Sequence, residues 1–477
     1  MNPATPFPGA IPLWRLYAIA AATFLPAIAF HYVGEEAILP VSALEMWHRG
    51  EWARQLLYGE NVQHNPLPNW LIILFASLAG WEHMLGIMRA ITIAATVGTG
   101  LVLAWLARAL YGDAAFAAFA ALVYLTLADL FFYRGWLAYA DPLFGFFVFG
   151  AMACLWVACL RRSAALLALA AAALTCAFMT KALTAYAFYG AAALVLLADR
   201  RHRAYLLGPA SWIAHGVAAA LPLLWLFVVH GDAGQGGRMF GEIVAKLAPA
   251  GFVEYLVKLA SYSLDTIGAL APAGLLAAYY AWRGRTTGIE AADSHFRTVL
   301  WIAFIGYLPY WIAPHSSLRY LTPLYPLAGL AIARLLWRAG PQALAVTQRW
   351  LVAMLAAKLV LVLVAFPYYQ SYYRGANYAA VARQILDRTA GHPLYTTNDS
   401  ASGLSVTANI DVLRLPAAPI TYPPQQWDSG FVITYKPDGA VGRVAEQYRL
   451  GGRDLYLLCR GAACSTASRQ PPAVSSQ

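Results

Sequence analysis

The most constraining feature of this sequence is a series of long apolar segments that contain few charged residues. A transmembrane helix needs about 20 mostly apolar residues to cross the hydrocarbon core of a bilayer. Segments of about that length recur at 12–30, 86–107, 114–132, 141–160, 163–180, 182–198, 206–229, 262–282, 298–314, 319–336 and 349–366. The sequence therefore predicts an α-helical polytopic membrane protein with about eleven transmembrane helices.

The composition agrees with this interpretation. Of the 477 residues, 60% are hydrophobic and 12% are charged, whereas soluble domains have about 45–50% apolar and about 25% charged residues. The formal net charge of +10 could indicate nucleic-acid binding, but the cations form short groups between apolar segments, at 161–162, 200–203, 283–285 and 334–338. Cytoplasmic loops of membrane proteins show this pattern, so we expect the lipid bilayer, and not nucleic acid, as a partner.

The same groups of cations predict the orientation of the chain. If they lie in the cytoplasm, the N-terminus is inside, and an odd number of spans puts the C-terminus outside. Two long loops, 31–68 and 230–261, then lie at the outer face. Both are rich in Trp and Tyr, as is typical of interfacial segments, and residues 39–47 predict a helix on the membrane surface.

After Phe366 the sequence becomes more polar and predicts a small α/β domain. Residues 376–389 have the pattern of an amphipathic helix. Short segments separated by Gly, Pro and Asp turns predict strands at 392–397, 411–416, 430–436 and 453–460.

We therefore divide the chain into a transmembrane domain (1–366), a small C-terminal α/β domain outside the membrane (367–465) and a disordered tail (466–477). Cys459 and Cys464 in the C-terminal domain either form a disulfide or remain two free thiols.

Polar residues that could carry chemistry occur in the segments predicted at the outer face. Glu35 and Glu36 are the first, and two adjacent carboxylates at a bilayer edge resist desolvation unless they have a cation, a proton or a catalytic role. The other candidates are His64, Asn65, Asp141, Lys181, Arg319 and Tyr320. Carboxylates and cations that converge at one leaflet would suit an anionic lipid substrate.

Most of these residues also have structural explanations. Asp141 precedes Pro142, as a helix N-cap would, and Lys181 could reach the headgroups by snorkelling. Arg319 could be an interfacial anchor, and His64 could be a hydrogen-bonded loop residue. The acidic pair is explained least well by structure, although a solvated turn would tolerate it.

The order of the motifs resembles that of a known family. An acidic pair at 35–36, Glu45-Met46, "GEW" at 50–52 and "HNP" at 64–66 resemble the first outer loop of the dolichyl-phosphate-mannose–protein mannosyltransferase superfamily. The bacterial branch that contains the lipid A aminoarabinose transferases is the most similar. The resemblance continues through "YADPLFGFFVF", "MTKALTAYAFYGAAALVL" and "LRYLTPLYPLAGLAIA" and covers roughly residues 10–335.

The resemblance implies a type C glycosyltransferase fold, a polytopic helical bundle with its active site at the outer face. It also implies a polyprenyl-phosphate sugar as donor, undecaprenyl-linked in a bacterium. The location would be the bacterial inner membrane, with the active site and the C-terminal domain in the periplasm.

The resemblance also implies roles for individual residues. By motif position, Glu35 is the catalytic acidic residue, Glu36 its acidic neighbour and Asp141 a second functional aspartate. Lys181, Arg319 and Tyr320 occupy the positions at which the family binds the donor phosphate and lines the lipid groove. The chain departs from the aminoarabinose branch at His64 and Asn65, which replace an acidic residue and a phosphate-binding lysine, so phosphate binding shifts to the other cations.

The resulting hypothesis is a hexosyl- or pentosyltransferase that moves a sugar from a polyprenyl-phosphate donor to an envelope acceptor. That acceptor would be lipid A or lipopolysaccharide, another glycolipid or glycan, or a protein. Glu35 would accept the proton of an acceptor hydroxyl, although a phosphate acceptor needs no base. No cofactor is required, but Glu35, Glu36, Asp141 and His64 could hold a divalent metal ion.

Two other classes of function are open at this point. A transporter or lipid flippase would use outer-face carboxylates for proton coupling or headgroup capture, but such proteins usually carry ionisable residues at mid-membrane and internal repeats. We find no internal repeat in this sequence. An envelope scaffold would tolerate any substitution of Glu35.

Overall fold

The structure, a computed structural model, describes residues 12–62, 65–181, 183–229, 241, 244–249, 251–284, 293–397, 401–451 and 453–469. The α-helices in these ranges are α1 (Leu13–Ala22), α2 (Ile38–Arg49), α3 (Leu67–Ala79), α4 (Met84–Tyr111), α5 (Ala114–Leu125), α6 (Ala140–Arg161), α7 (Ala164–Thr180), α8 (Thr184–Ala198), α9 (Arg200–Leu206), α10 (Pro209–Val229), α11 (Phe252–Ala269), α12 (Ala273–Trp282), α13 (Ser294–Ile312), α14 (Tyr325–Arg338), α15 (Pro341–Val360), α16 (Phe366–Tyr372), α17 (Tyr378–Arg388), α18 (Ala401–Leu413) and α19 (Ala462–Arg469). The strands are β1 (Leu56–Leu57), β2 (Glu60–Asn61), β3 (Leu394–Thr396), β4 (Gly430–Thr434), β5 (Arg443–Arg449) and β6 (Asp454–Arg460).

Several helical stretches are long and apolar enough to cross a membrane. Within the described residues these are Trp81–Tyr111, Ala140–Arg161, Pro209–Val228 and Pro341–Tyr372. Shorter apolar helices accompany them, including Leu67–Ala79, Ala164–Thr180 and Thr184–Ala198. The chain is therefore a multi-pass membrane protein, while the total of eleven spans and the orientation stay predictions.

Proline interrupts some of the predicted spans. Pro26 lies in a 3₁₀ turn (Leu25–Ala29) after α1, Pro272 separates α11 from α12, and Pro323 lies in a 3₁₀ segment (Leu318–Leu324) before α14. A proline has no N–H to continue an α-helical ladder. The segments predicted to span the membrane at 12–30, 262–282 and 319–336 are helical, but a 3₁₀ turn or a proline interrupts the α-helix in each.

The chain forms two compact units, one comprising 1–25 and 90–360 and the other comprising 26–89 and 361–477. In the first unit, α6 and α7 pack along their length through small side chains such as Ala158 and Ala177, which are fully buried. Helix α14 closely approaches α5 at Gly329, where an added Cβ would lie 3.1 Å from the Cβ of Tyr124. Small residues let helix backbones pack closely where lipid supplies no hydrophobic driving force.

The second unit contains a four-stranded sheet in the order β3-β4-β6-β5. Strand β3 pairs in parallel with β4, and the other pairs are antiparallel. Ile385 of α17 and Ile410 of α18 share one apolar core with Phe431 and Leu457 of the sheet. The helix predicted at 376–389 and three of the four predicted strands match α17, β3, β4 and β6.

The strand predicted at 411–416 is wrong, because residues 401–413 form helix α18. Residues 403–408 of this helix are all buried, including the polar Ser405 and Thr407, so this stretch shows neither an amphipathic period nor a fully apolar run. Strand β5 was not predicted, since it is a charged edge strand with mostly exposed residues.

Cys459 and Cys464 form a disulfide that links β6 to α19. Helix α19 ends at Arg469, inside the segment predicted as a disordered tail, and residues 470–477 lie outside the described ranges. Much of the predicted outer loop 230–261 also lies outside them.

Candidate active site

The two adjacent glutamates have different environments in the second unit. They lie in the turn before α2, where Gly34 adopts a left-handed conformation with φ of 58°. The side chain of Glu36 is completely buried, whereas Glu35 is exposed. The pair predicted from the sequence is therefore one buried carboxylate and one accessible carboxylate.

Glu36 is held by a buried arginine, Arg89 of α4. The Nε of Arg89 donates to Glu36 Oε1 at 2.9 Å and its Nη2 donates to Oε2 at 2.5 Å. The same guanidinium donates to three backbone carbonyls, those of Ala27, Phe30 and His31. One buried cation thus fixes the chain that leads to Glu35.

Further hydrogen bonds hold this segment. The carboxylate of Glu36 accepts the backbone N–H of Val33 at 2.7 Å. Gln370 accepts the N–H of His31 at 3.1 Å and donates to its carbonyl at 2.9 Å. Burial and the positive charge of Arg89 both lower the pKa of His31, so its imidazole is neutral near pH 7.

Arg89 is absent from the residues that the sequence analysis singled out, although a signal was present. It is the single charged residue in the apolar segment 86–107. An ionisable residue within a transmembrane segment marks a functional or tightly paired position by default.

The His-Asn element of the first loop is only partly described. Asn65 is buried just before α3, and His64 lies outside the described residues. Nearby, Asn69 accepts a hydrogen bond from Gln55 at 2.9 Å and donates to the carbonyl of Leu39 at 3.2 Å. Buried amides therefore join the start of α3 to the first turn of α2 and to the chain that follows α2.

In the first unit, Asp141 and Lys181 form an ion pair. Asp141 lies in the first turn of α6 and is only 7% exposed, and the Nζ of Lys181 donates to its Oδ1. The N-cap of α6 is Tyr139, and no side chain caps it. The helix-cap explanation of Asp141 is therefore wrong, and its partner is the lysine that ends α7.

Three cations surround the ring of Tyr320. The Nζ atoms of Lys246 and Lys181 lie 4.0 and 4.8 Å from the ring centroid, and the Cζ of Arg319 lies 5.3 Å from it. Nη2 of Arg319 also donates to the Tyr320 hydroxyl at 3.4 Å. We call Lys181, Lys246, Arg319 and Tyr320 the cationic cluster. Asp141 is the carboxylate bound to Lys181, so the contacts among the described residues bring three cations and one carboxylate together here.

Stacked aromatic rings extend from the cationic cluster. Tyr310 stacks on Tyr320 with centroids 6.0 Å apart, and Phe188 stacks on Tyr310 at 5.3 Å. Ser316 and Ser317, which shortly precede Arg319 in the chain, line an open groove of about 770 Å³. Arg134 lines this groove and is bound to Asp129 at 2.8 Å.

The structure thus brings together Asp141, Lys181, Arg319 and Tyr320, and adds Lys246, which the sequence analysis missed. Lys246 falls in the predicted outer loop 230–261, where no local pattern distinguishes it, and the structure places it in a helical stretch at 244–246. Glu35, Glu36 and Asn65 belong to the other unit. Convergence of all these residues at one face stays a prediction.

Within the described ranges, no three His, Cys, Asp or Glu residues come together as a metal site. His64, one of the predicted metal ligands, is outside those ranges. A divalent metal ion at Glu35, Glu36 and Asp141 stays a prediction.

Comparisons with known proteins identify the fold. No family model and no curated protein matches the sequence. ArnT from Cupriavidus metallidurans bound to undecaprenyl phosphate is similar in structure, with a TM-score of 0.66 and 16% identity over 95% of this chain and 99% of that chain. In the apo state, ArnT gives a TM-score of 0.65 and 17% identity over 94% and 98%.

A more distant structural similarity supports the same fold. The archaeal oligosaccharyltransferase AglB from Archaeoglobus fulgidus, in complex with an inhibitory peptide and a dolichol-phosphate, gives a TM-score of 0.50 and 11% identity over 88% of this chain and 69% of that chain. The chain therefore has a type C glycosyltransferase fold, which confirms the fold implied by its motifs.

Proposed function

We propose that this protein is a membrane glycosyltransferase that moves a sugar from a polyprenyl-phosphate donor to an envelope acceptor at the periplasmic face of the bacterial inner membrane. The observation that carries the proposal is the cationic cluster in a chain with this fold. Undecaprenyl phosphate bound to ArnT and dolichol-phosphate bound to AglB support a lipid-linked donor. The acceptor classes remain lipid A or lipopolysaccharide, another glycolipid or glycan, and protein.

The cationic cluster would bind the phosphate of the donor. Negative charge grows on the phosphate oxygens as the bond to the sugar breaks, so cations held nearby stabilise the transition state more than the ground state. Arg319 and Lys246 would supply the main contacts, because the charge of Lys181 is largely compensated by Asp141. We assign Asp141 the role of positioning Lys181, and Tyr320 the role of holding the cations around its ring.

Glu35 would act as the general base. It is accessible, while Glu36 is buried and compensated by Arg89. We therefore assign proton transfer to Glu35 alone and treat Glu36 and Arg89 as positioning residues that fix the turn carrying it.

The reaction then follows from these roles. The acceptor oxygen attacks the anomeric carbon, and the bond between that carbon and the phosphate oxygen breaks with its electron pair moving to the phosphate. Glu35 takes the proton of an acceptor hydroxyl. An acceptor phosphate is already ionised, in which case Glu35 would orient the acceptor and not remove a proton.

The test compares the envelope of a deletion strain rescued by wild type, by Glu35→Gln or by Glu60→Gln. Glu60 is an exposed glutamate of the same loop and serves as the matched control. With protein levels equal, we expect one glycan mass to disappear from lipids, polysaccharides or secreted proteins only with Glu35→Gln, while the unmodified acceptor accumulates. Identical glycan profiles in all strains, with a defect in the deletion, would instead indicate transport.

A further inference from the structure

A second basic site lies in the first unit, away from the cationic cluster. The α8–α9 junction and the first turns of α13 enclose an open groove of about 650 Å³. Arg200, Arg201 and Arg297 line it together with Asp199, so three guanidinium groups and one carboxylate leave an excess of two positive charges. Asp199 accepts hydrogen bonds from the backbone N–H and the Nε of Arg201, at 3.0 and 3.3 Å.

The other wall of the groove is apolar and accessible. Leu194 is 63% exposed, Trp301 57% and Ile305 37%. These residues belong to α8 and α13, which coincide with the predicted spans 182–198 and 298–314. Exposed apolar side chains on such helices face acyl chains, and Trp is typical of the headgroup level.

The groove and the cationic cluster lie at opposite ends of α13. Arg297 is in the first turn of this helix, whereas Tyr310, which stacks on Tyr320, is near its last turn. At about 1.5 Å per residue, their separation of thirteen positions corresponds to about 20 Å along the axis. With α13 as the predicted span 298–314, the two basic sites would lie at different leaflets, and the arginines at 200–203 predict the cytoplasmic leaflet for the groove.

We propose that this groove binds an anionic phospholipid of the cytoplasmic leaflet. The lipid phosphate would contact Arg200, Arg201 and Arg297, since a guanidinium can bond two phosphate oxygens at once. The acyl chains would lie along Leu194, Trp301 and Ile305. Basic pockets between transmembrane helices on the cytoplasmic side are suited to such headgroups. The inference does not depend on the transferase activity.

The experiment uses the full-length protein in nanodiscs that contain a photoactivatable phosphatidylglycerol or a phosphatidylcholine with the same acyl chains. Arg200→Gln/Arg297→Gln is compared with Arg161→Gln/Arg338→Gln, which removes two exposed arginines elsewhere in the predicted cytoplasmic loops. Crosslinked peptides are mapped by mass spectrometry, and equal melting temperatures establish that both variants fold.

We expect phosphatidylglycerol to crosslink to 194–201 and 294–305, with about a thirtyfold loss in Arg200→Gln/Arg297→Gln and no loss in the control, because two cations near the headgroups together contribute about 2 kcal/mol. Equal labelling by phosphatidylcholine, or unchanged labelling in Arg200→Gln/Arg297→Gln, would overturn the proposal. Displacement of the probe by undecaprenyl phosphate but not by unlabelled phosphatidylglycerol would also overturn it, and would assign the groove to the polyprenyl lipid.

Discussion

The buried pair of Glu36 and Arg89 and the cationic cluster around Tyr320 use similar residues for opposite purposes. Both side chains of the pair are inaccessible, and the guanidinium is surrounded by carboxylate and carbonyl oxygens of its own chain. The cluster is partly exposed, and within the described part of the chain it combines three cations with the carboxylate of Asp141. Burial and charge balance therefore separate a group that fixes the backbone from a group that can receive an anion.

The largest effect should come from breaking the buried pair. Arg89→Met leaves the Glu36 carboxylate buried without its cation, and we expect a loss of about 3–5 kcal/mol in the free energy of unfolding. The matched control is Arg54→Met, since Arg54 and Glu51 form a largely exposed pair with atoms 2.8 Å apart, which should contribute about 0–1 kcal/mol. Thermal unfolding in detergent measures both.

A double variant sharpens this prediction. Glu36→Gln/Arg89→Met should regain part of the lost stability, because no charge is then left buried alone. If Arg89→Met and Arg54→Met lower the free energy of unfolding equally, the pair of Glu36 and Arg89 does not hold the turn as described.

The next largest effect should come from neutralising the cationic cluster. Lys246→Gln and Arg319→Gln should each weaken the binding of undecaprenyl phosphate by about tenfold or more, since a hydrogen bond to a charged group contributes about 1.5–3 kcal/mol. Stability should change little, because these cations are partly exposed. A titration of the purified protein measures the affinity, with Arg349→Gln, an exposed arginine outside the cluster, as the control.

High salt should weaken the binding of undecaprenyl phosphate to the wild type more than to Lys246→Gln or Arg319→Gln. Unchanged affinity in both variants would mean that the cluster does not receive the phosphate.

A third prediction concerns Asp411, a buried carboxylate whose charge Arg414 offsets only in part. Burial raises the pKa of Asp411 to about 8, from an ordinary value of 3.8, although its Oδ1 accepts the N–H of Ile420 at 2.8 Å. Burial also raises the pKa of Glu45, whose charge disfavours ionisation of Asp411. The folded protein thus retains a proton that the unfolded chain has lost between about pH 4 and pH 8.

The stability of the C-terminal region should therefore fall as the pH rises from about 4 towards 8, and level off above. Asp411→Asn should flatten this dependence, leaving a smaller slope from Glu45. Hydrogen exchange of the β4 amides between pH 5 and pH 9 measures it, and an identical slope in wild type and Asp411→Asn would contradict the assignment.

The parts of this molecule that could be predicted from sequence are those with a local pattern. Apolar length predicted helices such as α6, α7 and α8, and short segments bounded by Gly, Pro and Asp turns predicted β4 and β6. Helix α18 has no such pattern, because Ser405 and Thr407 are buried by the surrounding tertiary structure. Proline alone does not predict the interruptions at Pro26, Pro272 and Pro323, because Pro222 and Pro309 lie inside the helices α10 and α13.

The candidate site shows the same limit. The motif order drew attention to Asp141, Lys181, Arg319 and Tyr320, and these residues do meet in the structure. The different environments of Glu35 and Glu36 could not be predicted, since they depend on Arg89, more than fifty residues away in sequence. Lys246 has no sequence signal at all, and only the fold brings it to Tyr320.

The most direct test of the proposed function is a cryo-EM structure of the full-length protein in nanodiscs with undecaprenyl phosphate. The account predicts density for the phosphate within hydrogen-bonding distance of Lys246 and Arg319, beside the ring of Tyr320. Phosphate density elsewhere, with the cationic cluster empty at saturating lipid, would contradict it.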